Sequence, residues 1–192
     1  VAFDQAPGQR LLEAARDAGV WLPFECGWGS CGTCKATLVS GDVELLVPEA
    51  AAISGRDARR GRILLCQSSA TTDVTIKPLR VADEPDPLRP VRVETGTVVS
   101  IAEVAPAVFD VVVSTPAPLP FRPGQFAIVH GPQDQRRCYS FAGEPGDSTV
   151  RFVVKQYDGR PVSTWVSTLS PGDRVRFEGP YGDVWLRESG RP

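Results

Sequence analysis

The sequence predicts two domains, a small α+β unit followed by an antiparallel β-barrel, and three observations carry that prediction. Residues 1–80 combine one amphipathic helical stretch with several short β-type runs around a loop rich in glycine and cysteine. Residues 81–90 (VADEPDPLRP) hold three prolines and four charged side chains. From Val91 onward β-type runs recur, separated by turns rich in Pro and Gly. A segment as proline-rich and charged as the middle one cannot pack a core, so residues 81–91 read as a semi-rigid linker. At 192 residues the chain is long enough for two small cores.

The first unit opens on Val1-Ala2-Phe3, which reads as a strand. The sequence contains no Met, so a few N-terminal residues are expected to be missing. Residues 9–18 place Leu11, Leu12, Ala15 and Ala18 at helical spacing, with Gly19 where a C-cap would sit. Residues 35–39 alternate like a strand, and Gly41-Asp42 turns the chain into a second run at 43–46. Residues 48–53 suggest a short helix with Pro48 in its first turn. Ile63-Leu64-Leu65 forms a strand leading to Cys66, and residues 74–77 form a last short strand.

In the second unit, strands are expected at 92–101, 108–113, 125–130, 137–141, 149–155 and 174–177. The intervening turns (PAPLPFRPG, GPQDQ, GEPGD, SPGD) are those of a closed or nearly closed antiparallel barrel. Only residues 163–169 look helical here.

Composition excludes several functions. The balance of 21 basic and 23 acidic residues gives a net charge of −2, which offers nothing to nucleic acid or to an anionic membrane. No apolar run approaches the roughly 20 residues of a spanning helix. The start lacks the basic and apolar stretches of a signal peptide, so a cytoplasmic location is expected. A single histidine, His130, rules out a histidine metal cluster or catalytic dyad and is expected to end a strand. Five cysteines in such a chain argue against a disulfide framework.

Four of those cysteines carry the strongest signal. Cys26, Cys31 and Cys34 fall in the loop CGWGSCGTC, and Cys66 stands alone downstream. This is the plant-type ferredoxin spacing of a 2Fe-2S cluster. Two irons bridged by two sulfides need four thiolates. A tight loop supplies three, and the fourth arrives from elsewhere in the chain. Gly27, Gly29 and Gly32 permit positive φ and let backbone N–H groups approach the sulfurs, which offsets the negative charge and helps set the potential. The class potential, roughly −400 mV, suits electron delivery. A four-cysteine zinc site usually shows two short pairs, where this loop shows a triplet and a singleton. Unliganded core thiols leave the glycines unexplained.

These residues, with Pro23-Phe24-Glu25 before the loop, Lys35 after it and Leu65-Cys66-Gln67 at the fourth ligand, resemble the ferredoxin domain of bacterial oxygenase reductases. That resemblance implies a β-grasp fold for residues 1–80. In the second half, Arg137-Cys138-Tyr139-Ser140 is similar to the Arg-x-Tyr-Ser signature of the ferredoxin-NADP reductase family. Arg122-Pro123-Gly124-Gln125-Phe126 upstream, Gly159 to Thr164 (GRPVST) and Gly179-Pro180-Tyr181-Gly182 resemble further motifs of that family. The implied fold for residues 92–185 is a Greek-key flavin barrel, the alternative being a plain barrel with Arg, Tyr and Ser on its surface.

The resemblance implies FAD, held by Arg137, Tyr139, Ser140, Val154, Lys155, Gly159, Val162, Ser163 and Thr164. Arg137 would pair with the pyrophosphate, Tyr139 would lie on the isoalloxazine face, and Ser140 would hydrogen-bond near N5. Tyr139 and Ser140 are thus the expected catalytic pair. FAD is expected in place of FMN, because FMN-using relatives place their ferredoxin last. Cys138 is expected to be a bystander, and Trp28, Trp165 and Trp185 packing residues or stations on an electron route. Arg59-Arg60 and Arg136-Arg137 are read as solvated charges or as docking charges for an acidic partner.

A reductase of this kind needs a nicotinamide domain with a glycine-rich first turn, and no G-x-G-x-x-G occurs in this chain. Residues 186–192 are expected to begin that domain. The implied function is the reductase component of a multicomponent oxygenase, carrying electrons from NADH through FAD and the 2Fe-2S cluster to a Rieske or di-iron terminal oxygenase. A reductase of deoxysugar dehydration and a non-catalytic electron carrier are the alternatives.

Overall fold

A computed structural model describes residues 1–46, 52–80 and 88–185. They form two compact units, one within residues 1–84 and one within 85–192.

In the first unit, helix α1 (Leu11–Asp17) buries Leu11, Leu12, Ala14 and Ala15. It ends at Gly19, which takes φ +72° and donates its N–H to the Arg16 carbonyl at 2.9 Å, so the expected glycine stop is present. Ala18 is the cap and not part of the helix. Strands β1 (Lys35–Ser40), β3 (Arg62–Leu64) and β5 (Thr75–Pro78) form an antiparallel sheet in the order β3-β1-β5. Strands β2 (Val43–Leu45) and β4 (Ser68–Ala70) form a separate two-stranded ribbon. Leu11, Leu12, Ala36, Ile63, Leu64 and Leu65 fill the core, and Cys34 and Cys66 lie in the same cluster. Each such buried leucine contributes roughly 1.5–3 kcal/mol.

Two local expectations for this unit need revision, and a third falls mostly outside the described residues. Val1-Ala2-Phe3 has no strand assignment. The segment is instead tied to β4 by one carboxamide, the Ala70 N–H donating to Gln5 Oε1 at 3.0 Å and Gln5 Nε2 donating to Ser69 Oγ at 3.0 Å. The helix expected at 48–53 lies mostly outside the described residues, and Ile53, which is described, is not helical. A helix does form just after it, α2 (Gly55–Arg59), set by a capping box between Ser54 and Asp57. Its five residues and initial glycine hid it from any periodicity. Leu65 leaves the strand and begins the 3₁₀ turn Leu65–Gln67, which carries Cys66.

In the second unit, β6 (Arg92–Ala105), β7 (Val108–Ser114), β8 (Phe126–His130), β9 (Arg136–Ser140), β10 (Thr149–Lys155) and β11 (Arg174–Tyr181) form one sheet in the order β10-β7-β6-β11-β8-β9. All neighbours are antiparallel. Strand β11 inserts between β6 and β8, a Greek-key crossover. The two ends meet just beyond β9, where Phe141 bridges Phe152 and the Ala142 N–H donates to the Arg151 carbonyl at 2.9 Å. The sheet therefore curls until its two ends touch through this bridge, a nearly closed barrel. Phe121 stacks on Phe141 at 4.4 Å, and Phe152 meets Phe177 edge-on at 5.8 Å, around a lining of Val98, Val111, Val113, Val150 and Val154.

Strand β6 runs four residues past its expected end, with register shifts between Val98 and Ser100 and between Glu103 and Ala105. Helix α3 (Pro161–Val166) starts two residues earlier than expected and stops three earlier. Pro161 occupies its first turn, where the missing N–H costs nothing. Beyond it the Thr168 and Leu169 N–H groups bond three residues back, to Trp165 and Val166, so the chain leaves as turns. No helix among the described residues is long and apolar enough to cross a membrane.

Candidate functional site

The first site is built by the loop between α1 and β1 together with the turn after β3. Within the loop, Gly27, Gly29 and Gly32 take φ of +62°, +83° and +76°. Those positive angles turn peptide N–H groups inward. The Trp28 N–H donates to Cys26 Sγ at 3.3 Å, and the Thr33 N–H donates to Cys31 Sγ at 3.5 Å.

The four sulfurs gather as two pairs. Cys34 and Cys66 Sγ lie 3.2 Å apart, both buried. Cys31 hydrogen-bonds Cys26, and this pair is more exposed. The charge of Cys26 is felt at both Cys34 and Cys66, so the pairs share one neighbourhood. The structure thus pairs Cys26 with Cys31 and Cys34 with Cys66. Among the described residues, no three Cys, His, Asp or Glu side chains converge to hold a single ion.

Electrostatics at the loop favour thiolates. Burial alone would raise the Cys26 pKa, but hydrogen bonds from the Ser30 hydroxyl and from the Trp28 and Cys31 N–H groups outweigh it and bring the thiol down to about 6. In the inner pair, the hydrogen bond shared between the two thiols pulls Cys34 down. The same bond, with burial, pushes Cys66 up. One proton is thus held between two sulfurs, and a metal that binds both displaces it.

The cysteine spacing alone did not reveal the contacts that support the loop. Gln67 Nε2 donates to the Gly27 carbonyl at 3.3 Å and approaches Cys66 Sγ at 3.9 Å, linking the fourth cysteine to the loop. Lys35 Nζ donates to Asp57 at 2.9 Å, and Arg62 reaches the other carboxylate oxygen at 2.9 Å. Those bonds and the Ser54 hydroxyl at 2.8 Å hold the Asp57 carboxyl well below the usual carboxylate range, Lys35 contributing most. Gln67 was marked only as part of the Leu65-Cys66-Gln67 resemblance, and the Ser54-x-x-Asp57 spacing was the signal available for Asp57.

The second site lies on β9 and around α3. Strand β9 pairs with β8 so that Arg137 faces Val129 and Tyr139 faces Ala127. Alternation puts Arg137 and Tyr139 on one face and Cys138 and Ser140 on the other. Tyr139 packs partly against the barrel core while remaining half-exposed. Its phenol is pushed up to about 12, chiefly by burial. The Arg137 guanidinium donates to the Arg136 carbonyl at 2.6 Å, and Ser140 is exposed.

The other expected flavin contacts divide. Gly159 takes φ +68° in the turn before α3, with open space around its α-carbon. Ser163 is buried, its Oγ accepting from the Tyr157 N–H at 3.2 Å and donating to the Arg160 carbonyl at 3.1 Å, so the hydroxyl fixes the turn. Thr164 is exposed beside it. Val162 is buried against Gly131, and Val154 points into the barrel core. Lys155 donates to the Pro106 carbonyl at 2.5 Å. Val154 and Val162 thus act through packing and backbone.

The Arg122-Pro123-Gly124-Gln125 turn is bolted to the end of the barrel. Gly124 takes φ +104°, and a Cβ there would fall 2.6 Å from the Val184 carbonyl. Gln125 Nε2 donates to the Gly182 carbonyl at 3.1 Å, and the Arg122 guanidinium lies 4.4 Å above the Trp185 ring.

Two cysteine pairs, built from a glycine-rich loop and the turn after β3, and an Arg–Tyr strand in a β-barrel fit a two-cofactor redox protein. The comparisons agree domain by domain: residues 1–71 match the 2Fe-2S iron-sulfur cluster binding domain family, and residues 92–185 match the oxidoreductase FAD-binding domain family. The chain's relatives are oxygenase reductase components. It is 36% identical, over 97% of its length and 57% of the relative's, to the ferredoxin–NAD(+) reductase component of an alkene monooxygenase system from Xanthobacter autotrophicus.

Among solved structures, the ferredoxin reductase in carbazole 1,9a-dioxygenase superposes with a TM-score of 0.76 at 32% identity, covering 97% of this chain and 61% of that one. A cytochrome P450 reductase from Amycolatopsis superposes at 0.71 with 33% identity, covering 96% of this chain and 56% of that one. The chain thus spans little more than half the length of the relatives it matches.

Proposed function

We propose that this chain is the cofactor-bearing part of an NADH-dependent reductase that delivers electrons to a terminal oxygenase. The observation that carries the reading is the arrangement of sulfurs, Cys26 with Cys31 and Cys34 with Cys66, because two thiolates per iron are what a 2Fe-2S centre requires. The printed names of the relatives support an oxygenase client, and they range over monooxygenase, dioxygenase and P450 systems. A Rieske or di-iron acceptor is the finer reading offered here.

When bound, FAD supplies two-electron hydride chemistry and a 2Fe-2S centre supplies one-electron transfer. The protein's own residues hold and tune. Cys26, Cys31, Cys34 and Cys66 would ligate the irons. The Trp28 and Thr33 N–H groups, already aimed at sulfur, would stabilise negative charge there. Burial of Cys34 and Cys66 would keep water from the inner iron, while the exposed Cys31 leaves the outer one near the surface.

In the barrel, Arg137 would pair with the FAD pyrophosphate and Tyr139 would offer its half-exposed ring to the isoalloxazine. Ser140 would donate a hydrogen bond near N5, and Gly159, Ser163 and Thr164 would shape the turn that meets the phosphates. Tyr139 stays a neutral phenol across the physiological range because burial raises its pKa.

The test is reduction of purified holoprotein by NADH, with the whole protein beside this chain. The whole protein should bleach both chromophores, while this chain should be reduced by dithionite and only slowly by NADH. Failure of the whole protein to accept electrons from NADH would overturn the reading.

A further inference from the structure

The cluster-bearing unit carries a segregated patch of positive charge that the cofactor sites do not use. Residues 1–80 contain nine basic and nine acidic side chains, yet four arginines, Arg56, Arg59, Arg60 and Arg62, fall within residues 55–62 with one acid among them. That acid, Asp57, is buried and already engaged by Lys35 and Arg62. Arg56, Arg59 and Arg60 are left exposed, and no side-chain hydrogen bond or ion pair with a described residue involves any of them. Arginines three and four positions apart on a helical turn repel one another, so the fold holds three like charges together with no acidic side chain among the described residues paired to them.

The patch is fixed to the rim of the cysteine loop. The Asp57 carboxylate bridges α2 to Lys35, which follows Cys34 directly. The Ala52 N–H donates to the Gly29 carbonyl at 3.1 Å. A Cβ on Gly32 would lie 3.1 Å from Lys35 Cε and 3.5 Å from the Ala52 side chain. The exposed ligand, Cys31, belongs to the same stretch of loop. An acceptor that draws an electron from the outer sulfur pair therefore approaches beside α2.

We propose that α2 and the arginines that follow it form a cationic docking surface for an acidic face of the electron-accepting protein, held at the cluster's edge by Asp57. The proposal rests on the functional reading above and adds to it the chemistry of the partner. Charge of this kind acts on encounter rate: steering changes association by about ten- to a thousandfold at low salt. It fades as the Debye length falls from about 30 Å at 0.01 M to about 3 Å at 1 M.

The experiment compares the holoprotein with the triple variant Arg56→Glu/Arg59→Glu/Arg60→Glu, and with the milder Arg56→Gln/Arg59→Gln/Arg60→Gln. Both are reduced with dithionite and mixed in a stopped-flow instrument with plastocyanin, a strongly acidic copper protein, or with a neutral quinone. The expected result at 10 mM salt is a plastocyanin rate at least tenfold lower in the glutamate variant and intermediate in the glutamine variant. All three rates should converge near 500 mM salt, and the quinone rates should agree within twofold.

The cluster's absorbance is read on every sample. A wild-type protein without a cluster would remove the functional reading and this proposal with it. An intact cluster with unchanged plastocyanin rates would overturn the docking surface alone. Equal slowing with quinone would show that the substitutions act on the cluster and not on docking, and would also overturn it. So would slower transfer from photoreduced flavin with plastocyanin unaffected, since the patch would then serve the chain's own flavin unit.

Discussion

Gly131→Ala tests whether the turn and helix around α3 hold the flavin. Gly131 sits at φ −98° and ψ −167°, a backbone that any residue adopts, so alanine introduces no backbone strain there. The cost is steric. The new Cβ would stand 2.8 Å from one γ-carbon of Val162, 3.2 Å from the other and 3.3 Å from its β-carbon. Carbon atoms prefer about 3.5–4.0 Å, so Val162 must retreat by about 0.7–1 Å. It cannot escape by rotation, because a helical valine has essentially one χ1 state and this side chain is buried, with 1% of its surface accessible.

The first turn of α3 therefore moves as a body and carries the Ser163 hydroxyl with it. Overpacking of this kind costs about 1–3 kcal/mol. If that displacement falls on the FAD-holding geometry, the dissociation constant weakens by about 5- to 150-fold. Titrating FAD-stripped protein with FAD, followed by quenching of flavin fluorescence, measures it. The iron-to-sulfide ratio in the first unit should not change. An unchanged FAD affinity in a correctly folded variant would refute the placement of the flavin against α3.

Three further outcomes are expected. Cys66→Ser removes one member of the buried inner pair and should abolish or severely weaken the iron absorbance while FAD stays bound, as read by visible spectroscopy and metal analysis. Arg137→Ala should do the reverse, losing FAD at micromolar concentration while retaining the cluster. In flavin-free protein, ultraviolet titration of phenolate absorbance should find Tyr139 ionising near pH 12. Because its folded pKa lies above the ordinary value of 10.0, its contribution to stability is intact below pH 10 and falls as pH rises from about 10 to about 12.

Much of this fold was legible because its signals are local and strong. The Cys26-x4-Cys31-x2-Cys34 loop, the barrel strands with their Pro and Gly turns, and α1 with its Gly19 stop each announce themselves within a few residues. What escaped depends on distant partners. Helix α2 exists because Ser54 and Asp57 cap one another and Asp57 bonds Lys35 and Arg62. Five residues with an initial glycine show no periodicity.

Val1-Ala2-Phe3 has strand-like residues but no assigned pairing, and a strand is defined by its ladder. Strand β4 (Ser68–Ala70), made of small residues, exists through its pairing with β2. Around β9 and α3, motif similarity named segments but not the direction of each side chain. It could not show that Val154 turns into the core or that the Ser163 hydroxyl is already bonded to Tyr157 and Arg160.

The reading stands on one chain carrying both a two-iron centre held by the two sulfur pairs and a flavin-binding barrel. Metal, acid-labile sulfide and flavin analysis of anaerobically prepared protein, together with an electron paramagnetic resonance spectrum after dithionite reduction, tests it most directly. The account predicts about two irons and two sulfides, one FAD, and a signal from one unpaired electron appearing only on reduction. Stoichiometric zinc, or intact protein that binds no iron under reconstitution, would contradict it.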